Sequence, residues 1–174
     1  MKLHAILALA AAAHLGAALP TYTIPLAMSK ALAENEDCTL PEGFEVQNFQ
    51  IWTPAPGNNR TSVINFGYRD NSTSIVTACH FNQTSVNVGP AGLTPRYACD
   101  NKIVEFIWQN GTLTLVEKAC PQSNMPRGFE AAGAVTPDLT CSASAKNSTV
   151  GEGKFCVSRT DLVANFTSLE PTPN

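Results

Sequence analysis

The stretch Ile103-Val104-Glu105-Phe106-Ile107-Trp108-Gln109-Asn110-Gly111-Thr112-Leu113-Thr114-Leu115-Val116-Glu117-Lys118 decides the fold class. Two runs rich in β-branched and aromatic residues flank an Asn-Gly pair, the strongest short-range signal for a two-residue hairpin turn. Both turn positions need a positive φ, which Gly111 adopts without steric cost and Asn110 tolerates. With that turn fixed, Trp108 falls opposite Leu113 and Phe106 opposite Leu115. Val104 shares their face, whereas Glu105, Ile107, Thr114 and Val116 take the other. A face this apolar must be covered by more sheet or by a helix.

Outward from the hairpin, the N-terminal end reads as a targeting segment. Met1-Lys2-Leu3-His4 leads into the alanine-rich run Ala5 to Ala13 and then to small residues at Gly16, Ala17 and Ala18. A short basic start, an apolar run and a small-residue exit make a secretory signal peptide, assigned to residues 1–18. Residues 19–37 have no clear period and read as a flexible lead-in or pro-piece. Residues 38–169 form one domain, and residues 170–174 a polar tail too short for a lipid-anchor signal.

About 155 residues remain after export, enough for one domain with a substantial core. The whole chain carries a formal net charge of −3. It has no lysine- or arginine-rich stripe, which argues against a nucleic-acid partner. After the signal no apolar stretch has the length of a membrane helix, so no membrane partner is expected.

All six cysteines (Cys38, Cys79, Cys99, Cys120, Cys141, Cys156) follow the signal segment. An even count in an exported chain implies disulfides. Zinc is disfavoured, because no Cys-x-x-Cys pair occurs and only one histidine, His80, lies beyond the signal. Cys79 and Cys99 flank a long loop at the ends of facing strands and are paired on that ground. Cys141 and Cys156 flank a polar loop in the same way, closing a ring worth ~3 kcal/mol by chain entropy. Cys38 and Cys120 remain, joining the start of the domain to the far end of the central hairpin. N-glycosylation sequons at Asn59, Asn71, Asn82, Asn110 and Asn147 fall at turns or loop edges, as acceptors require. A further match at Asn165 lies inside an apparent strand and reads as fortuitous.

The rest of the chain is a succession of short strands. Gly43 to Trp52 alternates, but its phase slips near Asn48, which calls for a bulge or a bend between sheets. Thr61–Tyr68 and Ser74–Phe81 form a second hairpin, and Asn82–Pro95 is a long loop, a plausible place for function. Short strands follow at Arg96–Cys99, Phe129–Val135, Leu139–Cys141, Phe155–Val157 and Leu162–Phe166. Small residues in Phe129–Val135 let another backbone approach. Eight or nine strands without a helix predict an all-β fold: a single compact antiparallel β-barrel or sandwich stapled by disulfides.

Candidate chemistry is sparse. As a base, His80 needs a nucleophile or a second acid-base group, and no Gly-x-Ser-x-Gly elbow is present, so it reads as an edge-strand histidine. Glu105 and Glu117 on adjacent strands form the one carboxylate pair that suggests a hydrolase, yet both read more simply as solvated hairpin positions. Trp108 belongs to the apolar face, and Trp52, beside a Pro-rich loop, is the better candidate for a binding surface. Arg60, Arg69 and Arg127 are scattered and define no anion site. No catalytic residue, metal ligand or cofactor is assigned.

The order of Cys38, Phe44-Glu45-Val46-Gln47-Asn48-Phe49, Ile64-Asn65-Phe66, Cys79 and Tyr97-Ala98-Cys99 is similar to that of a fungal secreted family. Phe106, Leu113-Thr114-Leu115, Ala131-Ala132-Gly133 and the Cys141 to Cys156 pair continue the match. The family is that of the Alternaria major allergen and its plant-elicitor relatives. Resemblance implies an exported β-barrel without catalytic residues, acting as an allergen or as an effector that provokes or suppresses plant defence. Its implied partners are a host extracellular protein or a small ligand such as a phenolic. The namesake dimerises through an N-terminal cysteine; here Cys120 offers Cys38 a partner within the chain, so a monomer or weak homodimer is expected. Tyr97 stands where the family tends to have Trp. The alternatives are a secreted hydrolase with an unrecognised carboxylate site and a structural cell-wall glycoprotein.

Overall fold

The fold, a computed structural model, describes residues 21–35, 38–122, 128–144 and 151–173. The signal-peptide assignment, Arg127 and Asn147 lie outside them. Among the described residues the chain forms one helix and eleven strands, in the order α1 (Leu26–Glu34), β1 (Gly43–Pro54), β2 (Val63–Asp70), β3 (Ile75–Phe81), β4 (Tyr97–Ala98), β5 (Val104–Gln109), β6 (Thr112–Ala119), β7 (Phe129–Val135), β8 (Leu139–Ser144), β9 (Gly153–Ser158), β10 (Leu162–Asn165) and β11 (Ser168–Pro171).

The β5–β6 hairpin has the register that its Asn-Gly turn dictates. Asn110 and Gly111 take φ of 52° and 79°, Trp108 pairs with Leu113 and Phe106 with Leu115. Val104, Phe106, Leu113 and Leu115 are fully buried. The face is covered by a second sheet. One sheet has the order β3-β2-β1-β9-β8 with β10 also on β1; the other has the order β11-β7-β6-β5-β4. Both are antiparallel, and they are not joined into a closed cylinder, so the architecture is the open, two-sheet form. The core between them is aromatic. The Phe66 and Phe106 rings meet edge-on at 5.1 Å, Phe49 meets Trp108 at 5.1 Å, and Phe44 meets Phe166 at 5.1 Å.

Strand β1 organises the first sheet. Its phase slip is a bulge: Asn48 has φ 53° and the register with β2 shifts between Gln47 and Gln50. The extra residue turns both Phe44/Val46 and Phe49/Ile51 into the core, where all four are buried. At the bulge β1 also changes partner on its other edge, from β10 (Gly43–Val46) to β9 (Gln50–Pro54). Asp161 accepts a hydrogen bond from the Asn48 amide at 3.2 Å and holds the junction.

The sheets are tied at two corners. At one, the chain passes from β10 to β11 through Phe166 and Thr167 alone, pressing against β7. A Cβ on Gly133 there would sit 2.5 Å from the Asn165 carbonyl oxygen and 2.8 Å from the Phe44 ring, which is why β7 carries small residues. At the other, the Cys79–Cys99 disulfide joins β3 to the segment after β4, and the Asp100 amide donates to the Ala78 carbonyl at 2.9 Å. Cys141 and Cys156 are direct cross-strand partners on β8 and β9. The third disulfide, Cys38–Cys120, links the approach to β1 with the end of β6.

Two segments differ from their sequence reading. The lead-in contains α1, so the expectation of no helix is corrected. Pro25 precedes an alanine-rich run with good helix propensity, but nine residues without a clean apolar stripe leave no period to recognise. Packing supplies what propensity lacks: Met28 and Ala31 are buried in the main core, and Tyr22 donates a hydrogen bond to the Pro41 carbonyl. The segment read as a tail begins inside β11, where Glu170 and Pro171 pair with Glu130 and Phe129. A four-residue strand carrying Glu and Pro has no alternation to reveal it, and its partner is distant in sequence.

Candidate functional site

The two carboxylates paired in the sequence reading go to opposite faces of the sheet. Glu105 pairs with Val116 and Val104 with Glu117, so Glu105 is on the outer face and Glu117 on the inner one. They cannot flank one bond, and neither is a solvated position. Glu105 keeps a side-chain exposure of 13% and lies in a network with Lys118 (3.7 Å), Arg96 (3.9 Å) and, through Arg96, Glu130 at 2.6 Å. Burial pushes the Glu105 pKa up, and the Lys118 and Arg96 charges oppose it. Arg96, just before β4, reaches across to Glu130 on β7, and Val116 on the same outer face is buried.

Glu117 is fully buried. Parity places it beside Leu113 and Leu115, and its polarity argued for solvent; parity decided. The Tyr68 hydroxyl donates to Glu117 Oε2, while Oε1 has no hydrogen-bond partner. Asp70 on β2 is likewise buried. Its Oδ1 accepts from the Ser72 amide at 2.7 Å, the Ser72 hydroxyl at 2.5 Å and the Thr73 amide at 3.3 Å, and its Oδ2 has none. Thr73 Oγ1 is a third buried atom outside ordinary hydrogen-bond distance of any partner, yet its hydroxyl still favours the ionised Glu117 carboxylate. Loss of solvent pushes the Glu117 pKa up to about 7, the Tyr68 hydrogen bond and the Thr73 hydroxyl working against it and the Asp70 charge adding to it. Burial also raises the Tyr68 and Tyr22 phenols, with Glu117 and Asp70 contributing. A cavity of about 250 Å³ lies beside Glu117 and Thr73, lined also by Ile75, Ile103, Lys118 and Pro121.

His80 is an exposed residue of the edge strand β3, as read. Its Nδ1 is 2.9 Å from Asn65 Oδ1, and its Nε2 is 3.8 Å from Asp100. The tryptophans exchange roles. Trp52, read as the surface residue, is buried, and its indole N–H donates to Ser144 Oγ at 3.0 Å. Gly153 on β9 lies against the ring, where a Cβ would sit 2.8 Å from the indole nitrogen. Trp108 is half-buried and lines an open apolar groove of about 560 Å³ with Ile51, Pro54 and Leu139. A hollow of about 430 Å³ sits at the other end of β1, lined by Phe44, Glu45, Arg69, Asn71, Val163 and Asn165. Asn59, Asn71, Asn82, Asn110 and Asn165 are exposed.

The long loop between β3 and β4 is pinched at its neck. Asn87 Oδ1 accepts from the Gly89 and Arg96 amides, each at 2.9 Å, and the Val88 amide donates to the Arg96 carbonyl at 2.9 Å. Val86, just before the neck, is 74% exposed, Val88 within it 47%, and Leu93 beyond it 55%. Sequence reasoning missed Arg96, Tyr68, Asp70 and Thr73. The one available signal was Glu117 itself, a carboxylate at an apolar-face position that requires polar company. Among the described residues no group of three or more His, Cys, Asp or Glu is placed to hold a metal ion.

No protein-family model and no curated protein sequence matches the chain significantly. Among solved structures the chain is similar to the Alternaria alternata major allergen Alt a 1, the namesake of the family its sequence resembles. One crystal structure aligns with a TM-score of 0.48 at 15% identity, over 76% of this chain and 95% of that one. A second aligns with a TM-score of 0.49 at 15% identity, over 75% and 89%.

Proposed function

We propose that the chain is an exported, non-enzymatic binding module of the allergen and effector kind, acting outside the cell on a host extracellular protein. The observation that carries the reading is the loop between β3 and β4. It presents Val86, Val88 and Leu93 to solvent from a root fixed by the Cys79–Cys99 disulfide. Exposed apolar side chains on a braced loop are a feature of contact surfaces. Three disulfides fit an oxidising compartment, and no helix among the described residues is long and apolar enough to cross a membrane.

Infiltration of the purified protein into leaves tests the proposal, with a Val86→Ser, Val88→Ser, Leu93→Ser variant as the comparison. The oxidative burst or its suppression by the native chain is expected to disappear in the variant, with the thermal transition unchanged. An identical response to both proteins, or none to either, rejects it.

A further inference from the structure

The asparagines of this chain divide by what their side chains do. Asn35, Asn58, Asn65, Asn87 and Asn101 stand outside any sequon, and each makes a side-chain hydrogen bond that fixes local structure. Asn59, Asn71, Asn82, Asn110 and Asn165 each begin an Asn-x-Thr sequon. Among the described residues none of these five donates from its side-chain amide, and only Asn82 uses its side chain at all. Its Oδ1 accepts from the Thr84 amide at 2.8 Å and the Thr84 hydroxyl at 2.7 Å. Asn165 is set in a strand, yet its Nδ2 is as open as those of the four acceptors at turns.

Strand geometry explains the openness. β10 ends at Asn165, where the chain crosses to the other sheet. Alternation sends Phe166 into the core and its two neighbours outward: Phe166 is fully buried, whereas Asn165 and Thr167 are exposed. The cross-strand partner of Asn165 is Gly43, which has no side chain to crowd the amide. A Cβ there would sit 2.9 Å from Asn165 Oδ1. In front lies the hollow of about 430 Å³ that Asn165 lines together with Asn71, so a bulky group on Nδ2 has room to leave the surface.

We propose that Asn165 carries an N-linked oligosaccharide, on the rim of the hollow that it shares with the acceptor Asn71. An acceptor must be a surface asparagine with a hydroxyl residue two positions on, and the crossover supplies both in Asn165 and Thr167. The co-reactant is a lipid-linked oligosaccharide diphosphate of the secretory pathway. Nδ2 forms a bond to the anomeric carbon as that carbon's bond to phosphate oxygen breaks. The lipid diphosphate leaves with the electron pair, a base of the transferring enzyme takes one amide proton, and nothing is oxidised or reduced. The assignment rests on the export proposed above.

Mass spectrometry of the full chain, secreted from a eukaryotic host, tests it. The glycans are removed by peptide N-glycosidase in heavy-oxygen water, and the product is digested with trypsin. Cleavage after Arg159 yields peptide 160–174, in which Asn165 is the only acceptor. That peptide is expected mainly with the labelled aspartate that the glycosidase leaves. Thr167→Ala, which keeps Asn165 and destroys the sequon, is expected to return the peptide to unlabelled asparagine and to remove one glycan step from the gel mobility of the intact protein. An unlabelled peptide 160–174 beside a labelled peptide 70–96, which holds Asn71 and Asn82, overturns the proposal and leaves export standing. No label on either peptide overturns both. Label at residue 165 that persists in Thr167→Ala is spontaneous deamidation and overturns the assignment as well.

Discussion

Replacing Glu117 with Gln should make this protein more stable in mild base and change it little in acid. The carboxyl has an ordinary value of 4.5 and is pushed up to about 7 by burial. The folded chain therefore keeps a proton that the unfolded chain releases between those two values. Stability from this group is complete below 4.5, falls as the pH rises, and levels off above 7, once both states have lost the proton. At 1.36 kcal/mol per unit, the span corresponds to about 3 kcal/mol. Glu117 is fully buried, so solvent screening removes little of that sum. Glutamine is nearly isosteric, accepts from Tyr68 and never ionises, so the variant lacks this slope. Guanidinium unfolding at half-unit steps from pH 4.5 to pH 8.5, followed by Trp52 and Trp108 fluorescence, measures it. Every other ionisable group is common to both proteins, and their difference isolates Glu117. A stability difference constant across that range, within a few tenths of a kcal/mol, would refute the reasoning.

Gly133→Ala forces a Cβ to within 2.5 Å of the Asn165 carbonyl, and backbone cannot yield as a side-chain tip does. A loss of about 2 kcal/mol or more is expected from denaturant midpoints, whereas an unchanged midpoint would show that the crossover is looser than described. Met28→Ala empties a fully buried position on α1 and should cost about 2–4 kcal/mol, read as a drop of several degrees in the melting temperature. A neutral result would mean that the helix does not contribute to the core.

The central hairpin was legible because its information is local: two turn residues with a backbone requirement and a period-two pattern on either side. The bulge at Asn48 was legible for the same reason, as a phase error within one strand. What escaped depends on partners far along the chain. Helix α1 is fixed by a core assembled from residues beyond it, and β11 by pairing with β7. The exchange between Trp52 and Trp108 has a similar origin, because the hydroxyl that receives the Trp52 indole belongs to Ser144, across the sheet. Glu117 was misread through its residue type. A carboxylate suggests solvent unless its strand neighbours overrule it, and only the neighbouring sheet shows Tyr68 waiting opposite. The candidate site was therefore almost wholly hidden, since its members come from β2, the β2–β3 turn and β6.

The exchange of partners along β1 has a consequence for the order of assembly. Residues 43–54 complete their second edge only with residues 153–165, a separation of about a hundred positions or more. Chains emerge from synthesis N-terminus first, and pairings this distant in sequence form slowly. One border of β1 must therefore stay bare until residues 153–165 have been delivered. The window for premature association with other chains is set by the time taken to deliver the roughly hundred residues between β1 and these partners, whatever the stability of the finished fold.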